Sequence, residues 1–164
     1  MRILGVDPGS VTTGFGVIDA ERGRLVLIEQ GSITTRRGME FGERLRRIYE
    51  GLVVVIGRTS PSAMAVETPF AGRNMKSLIQ LSHARGVVLL AAESARLPLF
   101  EYSPRSVKSA VVGYGAAEKE QVAKMVRLLL PECAKALLSA DAADALAIAI
   151  CHAHTEATRI KIAR

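Results

Sequence analysis

Apolar residues along the chain change their spacing several times, and each change marks a structural element. The run from Ile3 to Val6 is apolar apart from Gly5 and is closed by Asp7-Pro8-Gly9-Ser10, which predicts a buried strand carrying an acid into a turn. Thr13 to Asp19 and Leu25 to Ile33 read as two further strands separated by the turn Glu21-Arg22-Gly23-Arg24, so the first three strands form an antiparallel meander. Leu45, Ile48, Leu52 and Val55 then follow Phe41 in steps of four and three, the apolar stripe of an amphipathic helix that Thr59-Ser60-Pro61 stops. Ala63 to Val66 is a short buried strand ending on Glu67, and Thr68-Pro69 breaks the chain immediately after it.

The second half alternates helices with one more strand. Asn74 can cap a helix running towards Ala95, and its interior Gly86 implies close approach of another element or subunit. Leu99 to Tyr102 is a fifth strand. Ser103-Pro104 opens a helix that Gly113 ends, Glu118 to Leu130 forms another before Pro131, and the last begins near Asp141. Three meandering strands followed by helices alternating with two more strands describe an α/β domain, a mixed sheet with helices on both faces. Residues 1–156 are assigned to one domain, and 157–164 to a basic tail expected to be poorly ordered.

Composition narrows the function. At 164 residues and 49% hydrophobic content, the chain has material for one buried core. Its 22 Lys and Arg exceed 16 Asp and Glu, giving a net charge of +6, which favours a polyanionic partner and is equally compatible with a mildly basic enzyme. Cys133 and Cys151 are not closely spaced, so neither a disulfide framework nor a redox motif is indicated, and a cytoplasmic setting is expected. No apolar run approaches the length of a membrane span.

The candidate chemistry is acidic. Asp7 and Glu67 each terminate a strand, where ligands collect in α/β sheets. Asp141 and Asp144 are three apart at a helix start and share a face. Three have a plainer role, Asp7 as a turn residue and Asp141 with Asp144 as a variant capping box, whereas Glu67, a charged group following a buried strand, needs a partner. Together, four carboxylates converging in a partly apolar pocket repel one another unless a cation lies between them. All-oxygen donors select hard ions such as Mg²⁺ or Mn²⁺, and paired ions can clamp both the attacking and the leaving oxygen of a phosphodiester.

Gly5-Val6-Asp7-Pro8-Gly9-Ser10, Val66-Glu67, the segment Gln80 to Val87, Ala117-Glu118-Lys119, and Asp141-Ala142-Ala143-Asp144-Ala145-Leu146-Ala147 occur in an order that closely resembles the RuvC family of crossover-junction endonucleases. The resemblance runs to about His154. It implies an RNase H-like fold, a homodimer, and paired nicks in a four-way (Holliday) DNA junction with Mg²⁺, in recombination and repair beside a RuvA–RuvB branch-migration complex. It assigns Asp7, Glu67, Asp141 and Asp144 to catalysis and metal binding, Phe70 to stacking on bases at the crossover, and Lys108 and Lys119 to DNA contact. Arg73, Lys76 and Arg105 are added as DNA contacts from their charge and position.

Other signals carry less. Cys151-His152-Ala153-His154 lies along one helix, where residues two apart do not share a face, so a zinc site is not expected. His83 reads as a packing residue within a helix. Gly14-Phe15-Gly16 lacks the third glycine of a dinucleotide loop and reads as a strand approached closely by other backbone. Three rivals remain: an actin-like ATPase or sugar kinase, which needs two such domains; an RNase H-like nuclease that processes ribosomal RNA precursors; and a non-catalytic nucleic-acid-binding module.

Overall fold

The structure, a computed structural model, describes residues 1–36, 38–69, 75–134 and 138–162. Five strands, β1 (Arg2–Asp7), β2 (Thr12–Glu21), β3 (Arg24–Thr34), β4 (Ala63–Glu67) and β5 (Leu99–Tyr102), form one sheet in the order β3-β2-β1-β4-β5. The first three are antiparallel neighbours, whereas β4 and β5 join parallel to β1. The helices are α1 (Phe41–Thr59), α2 (Met75–Ser94), α3 (Pro104–Val112), α4 (Lys119–Leu129) and α5 (Ala140–Ile162). The expected meander and both parallel additions are present.

Side-chain alternation along the strands divides the core in two. Leu4, Val6, Phe15, Val17, Met64 and Val66 face α1 and α2, where Ile48, Leu52, Val55, Ala84 and Val88 meet them. Ile3, Ile18 and Ala65 face the opposite way, towards α3, α4 and α5. Glycine replaces bulk on much of that second face. A Cβ added at Gly5 would lie 2.1 Å from the Ala145 carbonyl oxygen, and one at Gly16 2.5 Å from Leu146 Cδ2. Helix α5 therefore lies directly on β1 and β2, the close approach expected at Gly14-Phe15-Gly16.

Local signals account for most element ends. Ser103 caps α3, its hydroxyl accepting from the Ser106 amide at 3.0 Å, and Gly113 closes it at φ 99°. Glu118 and Gln121 form the capping box of α4. The sequence misses a short 3-10 turn, Pro131–Ala134, because Pro131 stops α4 but still suits the first position of a new turn. Three further expectations have different outcomes. Helix α5 continues through residues 157–162, where a separate basic tail was expected. Among the described residues, no atom outside its own helix lies within 4 Å of a Cβ built at Gly86, so of the two partners expected there, another element or a subunit, no described element makes the approach. Asn74, expected to cap α2, lies outside the described residues.

Candidate active site

The acidic residues are delivered by the ends of elements that the sheet holds side by side. Strands β1 and β4 are parallel neighbours, with Val6 opposite Val66, so Asp7 and Glu67 leave the same end of the sheet. The turn after Asp7 is pinned by two threonines. Thr13 donates from its hydroxyl to the Gly9 carbonyl at 2.8 Å, and Thr35 donates to the Val11 carbonyl at 3.0 Å. At Gly9 a Cβ would fall 2.1 Å from the Thr12 carbonyl oxygen, which explains the glycine after Asp7-Pro8.

Helix α5 brings the other two acids. Ser139 accepts from the Ala142 amide at 3.2 Å and so supplies the cap, which leaves Asp141 and Asp144 inside the helix rather than closing it. A Cβ at Gly14 would sit 2.0 Å from the Asp141 carbonyl oxygen, so the first turn of α5 rests on β2 beside Asp7's strand. The capping box proposed for the two aspartates is not how this helix begins.

These elements enclose a cleft of about 260 Å³, lined by Asp7, Glu67 and Asp144 together with Thr68, Arg85, Lys108 and Lys119. Asp141 is outside the lining but close enough for its charge to act on Asp7. Burial, followed by repulsion from Asp144 and Glu67, raises the Asp7 carboxyl to about 7, against a partial offset from Lys119. The Lys119 ammonium donates to Asp144 Oδ2 at 2.8 Å, and that bond and charge hold the lysine above its ordinary value.

The expected DNA contacts separate into groups. Lys108 and Lys119 line the cleft. Lys76, in the first turn of α2, and Arg105, in the first turn of α3, are exposed and outside the lining. Phe70 and Arg73 lie outside the described residues. Lys119, expected to contact DNA, is also the counter-ion of Asp144, one of the four candidate acids.

Arg85 was missed as a site residue. It is one helical turn beyond Leu81 on α2, lines the cleft, and forms an ion pair with Glu101 of β5. Its Nε is buried without a hydrogen-bond partner among the described residues. It lies within the segment Gln80 to Val87 that carries part of the family resemblance, but helical spacing alone does not show which of α2's polar residues turns inward.

The donor chemistry fits hard divalent cations: every candidate ligand is a carboxylate, and burial, reinforced by repulsion among their charges, already pushes one of them towards neutrality. Among the described residues, no group of three or more such side chains forms a finished metal cage. The residues read as possible zinc ligands make separate contacts instead. Cys151 Sγ is 3.7 Å from the Ser106 carbonyl, His152 Nδ1 is 2.7 Å from Tyr102 Oη, and His154 Nδ1 is 2.9 Å from the Ala110 carbonyl. His83 makes an edge contact with Phe41 at 5.6 Å.

Residues 3–152 match the family model described as Crossover junction endodeoxyribonuclease RuvC. A relative of that name from Geobacter sulfurreducens is 51% identical over 157 residues, covering 94% of this chain and 93% of its own. Another, from Chloroflexus aggregans, is 49% identical over 158 residues and covers 96% of each chain. Among solved structures, Thermus thermophilus RuvC in complex with Holliday junction substrate aligns with a TM-score of 0.86 at 35% identity, over 97% of this chain and 96% of that one. The yeast mitochondrial Holliday junction resolvase shares the fold, at a TM-score of 0.70 and 13% identity over 97% of this chain and 82% of its own. The sheet order, the RNase H-like architecture and the match along nearly the whole chain agree: this chain belongs to the RuvC family of crossover junction endodeoxyribonucleases.

Proposed function

We propose that this chain resolves four-way DNA junctions by cutting two opposed strands symmetrically, through divalent-metal-dependent phosphodiester hydrolysis, in recombination and repair. The observation that carries this reading is the meeting, in one cleft, of Asp7 from β1, Glu67 from β4 and Asp144 from α5 with Lys108 and Lys119. No observation favours structured RNA, and the named relatives are junction nucleases.

Asp7, Glu67, Asp141 and Asp144 would hold the cations, two Mg²⁺ in our reading, with Mn²⁺ as a substitute. When bound, such ions polarise the scissile phosphate and acidify the attacking water. The chain's own groups prepare the site. Half-buried Asp7 carries a proton part of the time near neutral pH, so cation binding releases it. Lys119 balances Asp144 and, with Lys108, places positive charge beside the path of a phosphate backbone. Arg85 adds a third cation on the α2 side of the cleft. Phe70 is proposed to stack on a base opened at the crossover.

Two opposed cuts require two sites, which a homodimer supplies. The exposed stripe of α2 supports this: Met75, Ile79 and Leu90 are 70%, 49% and 57% exposed and fall in helical register with Gly86. A second copy seated there would make the close approach for which Gly86 leaves room. Junction delivery by a RuvA–RuvB complex and a cytoplasmic location complete the reading; among the described residues, no helix is long and apolar enough to cross a membrane.

The test is cleavage of a synthetic four-way junction with and without Mg²⁺, beside a structured RNA of similar length. Symmetric, metal-dependent nicks in the junction alone are expected. Cleavage of the RNA in preference to the junction would overturn the substrate assignment.

A further inference from the structure

Helix α5 is apolar where it crosses the sheet, except at His152, which is completely buried. Its ring lies against Phe100 of β5, with centroids 4.2 Å apart, and its Nδ1 is 2.7 Å from the Tyr102 hydroxyl oxygen. Its Nε2 is buried with no hydrogen-bond partner among the described residues. A buried imidazole satisfied on one side only is a poor way to fill a core, where an apolar ring of similar size would pack without an orphaned nitrogen. The hydrogen bond to Tyr102 must therefore contribute something other than stability.

The connections of Tyr102 indicate what that is. Tyr102 pairs with Glu67 in the β4–β5 register. Its carbonyl accepts from the Thr68 amide at 2.8 Å and from the Thr68 hydroxyl at 3.3 Å, so its backbone is bound to the residue that follows Glu67. The next residue, Ser103, caps α3, which carries Lys108 into the cleft. Through its hydroxyl, the same tyrosine is bound to α5 eight residues beyond Asp144. Elsewhere α5 is seated on β1 and β2 through Gly5, Gly14 and Gly16, all on the Asp7 side of the sheet. The β4–β5 side lacks that glycine seat.

We propose that Tyr102 and His152 are positioning residues, a strut that sets the strand end bearing Glu67 at a fixed distance from the helix bearing Asp141 and Asp144. The proposal rests on the reading of these acids as one cation-binding cluster. Shared coordination demands that oxygens from separate elements be held within roughly 0.5 Å of their working positions, and a glycine seat on one side of a helix leaves rotation about that seat open. The Tyr102–His152 hydrogen bond restrains that rotation from β5, beside the contacts that Cys151 and His154 make with α3.

The test uses the full chain and Tyr102→Phe, which removes one oxygen and keeps the ring. Mn²⁺ affinity, measured by calorimetry without DNA, is expected to fall about 10-fold, as it does when partners that orient metal ligands are removed. The Mg²⁺ concentration for half-maximal cleavage rises in parallel, while junction binding without metal is unchanged. The double variant Tyr102→Phe/His152→Phe separates positioning from packing, because it leaves no orphaned polar group. It is expected to regain thermal stability relative to Tyr102→Phe without regaining Mn²⁺ affinity. Mn²⁺ affinity within twofold of the parent in Tyr102→Phe, or recovered in the double variant, would overturn the strut. Failure of the parent to cut a junction would instead count against the functional reading, and the Mn²⁺ titration would still decide the positioning role.

Discussion

At the scale of single residues, Asp7 has the most to report. Its raised value has a definite sign for stability. Between the ordinary carboxylate range and about 7, the folded chain holds a proton that the unfolded chain has released, so this group's contribution is fullest in acid and is lost as pH rises through 7. Without divalent ions, the melting temperature of the parent is expected to drop between pH 5 and 8 more steeply than that of Asp7→Asn. Added Mg²⁺ removes most of the difference by binding the deprotonated form. Equal slopes for the two proteins in metal-free buffer would mean that Asp7 titrates normally. The same variant should bind junction DNA yet cut it about 10²-fold more slowly or worse, as measured in single-turnover assays. Lys108→Ala, by contrast, should weaken binding and lower the slope of log affinity against log salt by about one; an unchanged slope would place it away from phosphate.

At the scale of elements, the seating of α5 decides whether a site exists. Asp7 and Glu67 were legible because both end apolar strands, and adjacent parallel strands expose their last residues at the same edge. A close approach of other backbone was legible at Gly14-Phe15-Gly16, but not that α5 makes it or how deeply α5 sits, because a strand glycine does not specify which element packs on it. Gly5→Ala places a methyl group 2.1 Å from the Ala145 carbonyl and must lift α5 off β1. A loss of about 3 kcal/mol in urea unfolding is expected, at the upper end of overpacking costs, together with weaker Mg²⁺ binding. Unaltered stability would show that α5 can shift without penalty. The role of Ser139 was also hidden. The Asp-Ala-Ala-Asp spacing fits a capping box, and only the hydrogen bond from Ala142 to Ser139 shows that the aspartates are released from capping.

At the scale of the whole molecule, the outer face of α2 is where the proposed pairing of two chains can be tested. Ile79→Glu with Leu90→Glu places two carboxylates on the exposed stripe and should yield a monomer in sedimentation velocity where the parent is expected to sediment as a dimer. Such a monomer nicks junctions singly instead of in pairs; a dimer that survives both changes would move the interface elsewhere. What the sequence determined by itself was periodicity and order: five strands, the alternation of helices, and acids at the ends of elements, because these depend on neighbours a few residues apart. Tertiary structure alone decided what depends on distant segments meeting. Lys119 faces Asp144 across 25 residues, Arg85 reaches Glu101, and Tyr102 meets His152 fifty residues away. Local spacing specifies which face of its own element a side chain occupies, but packing of the elements selects the group opposite it.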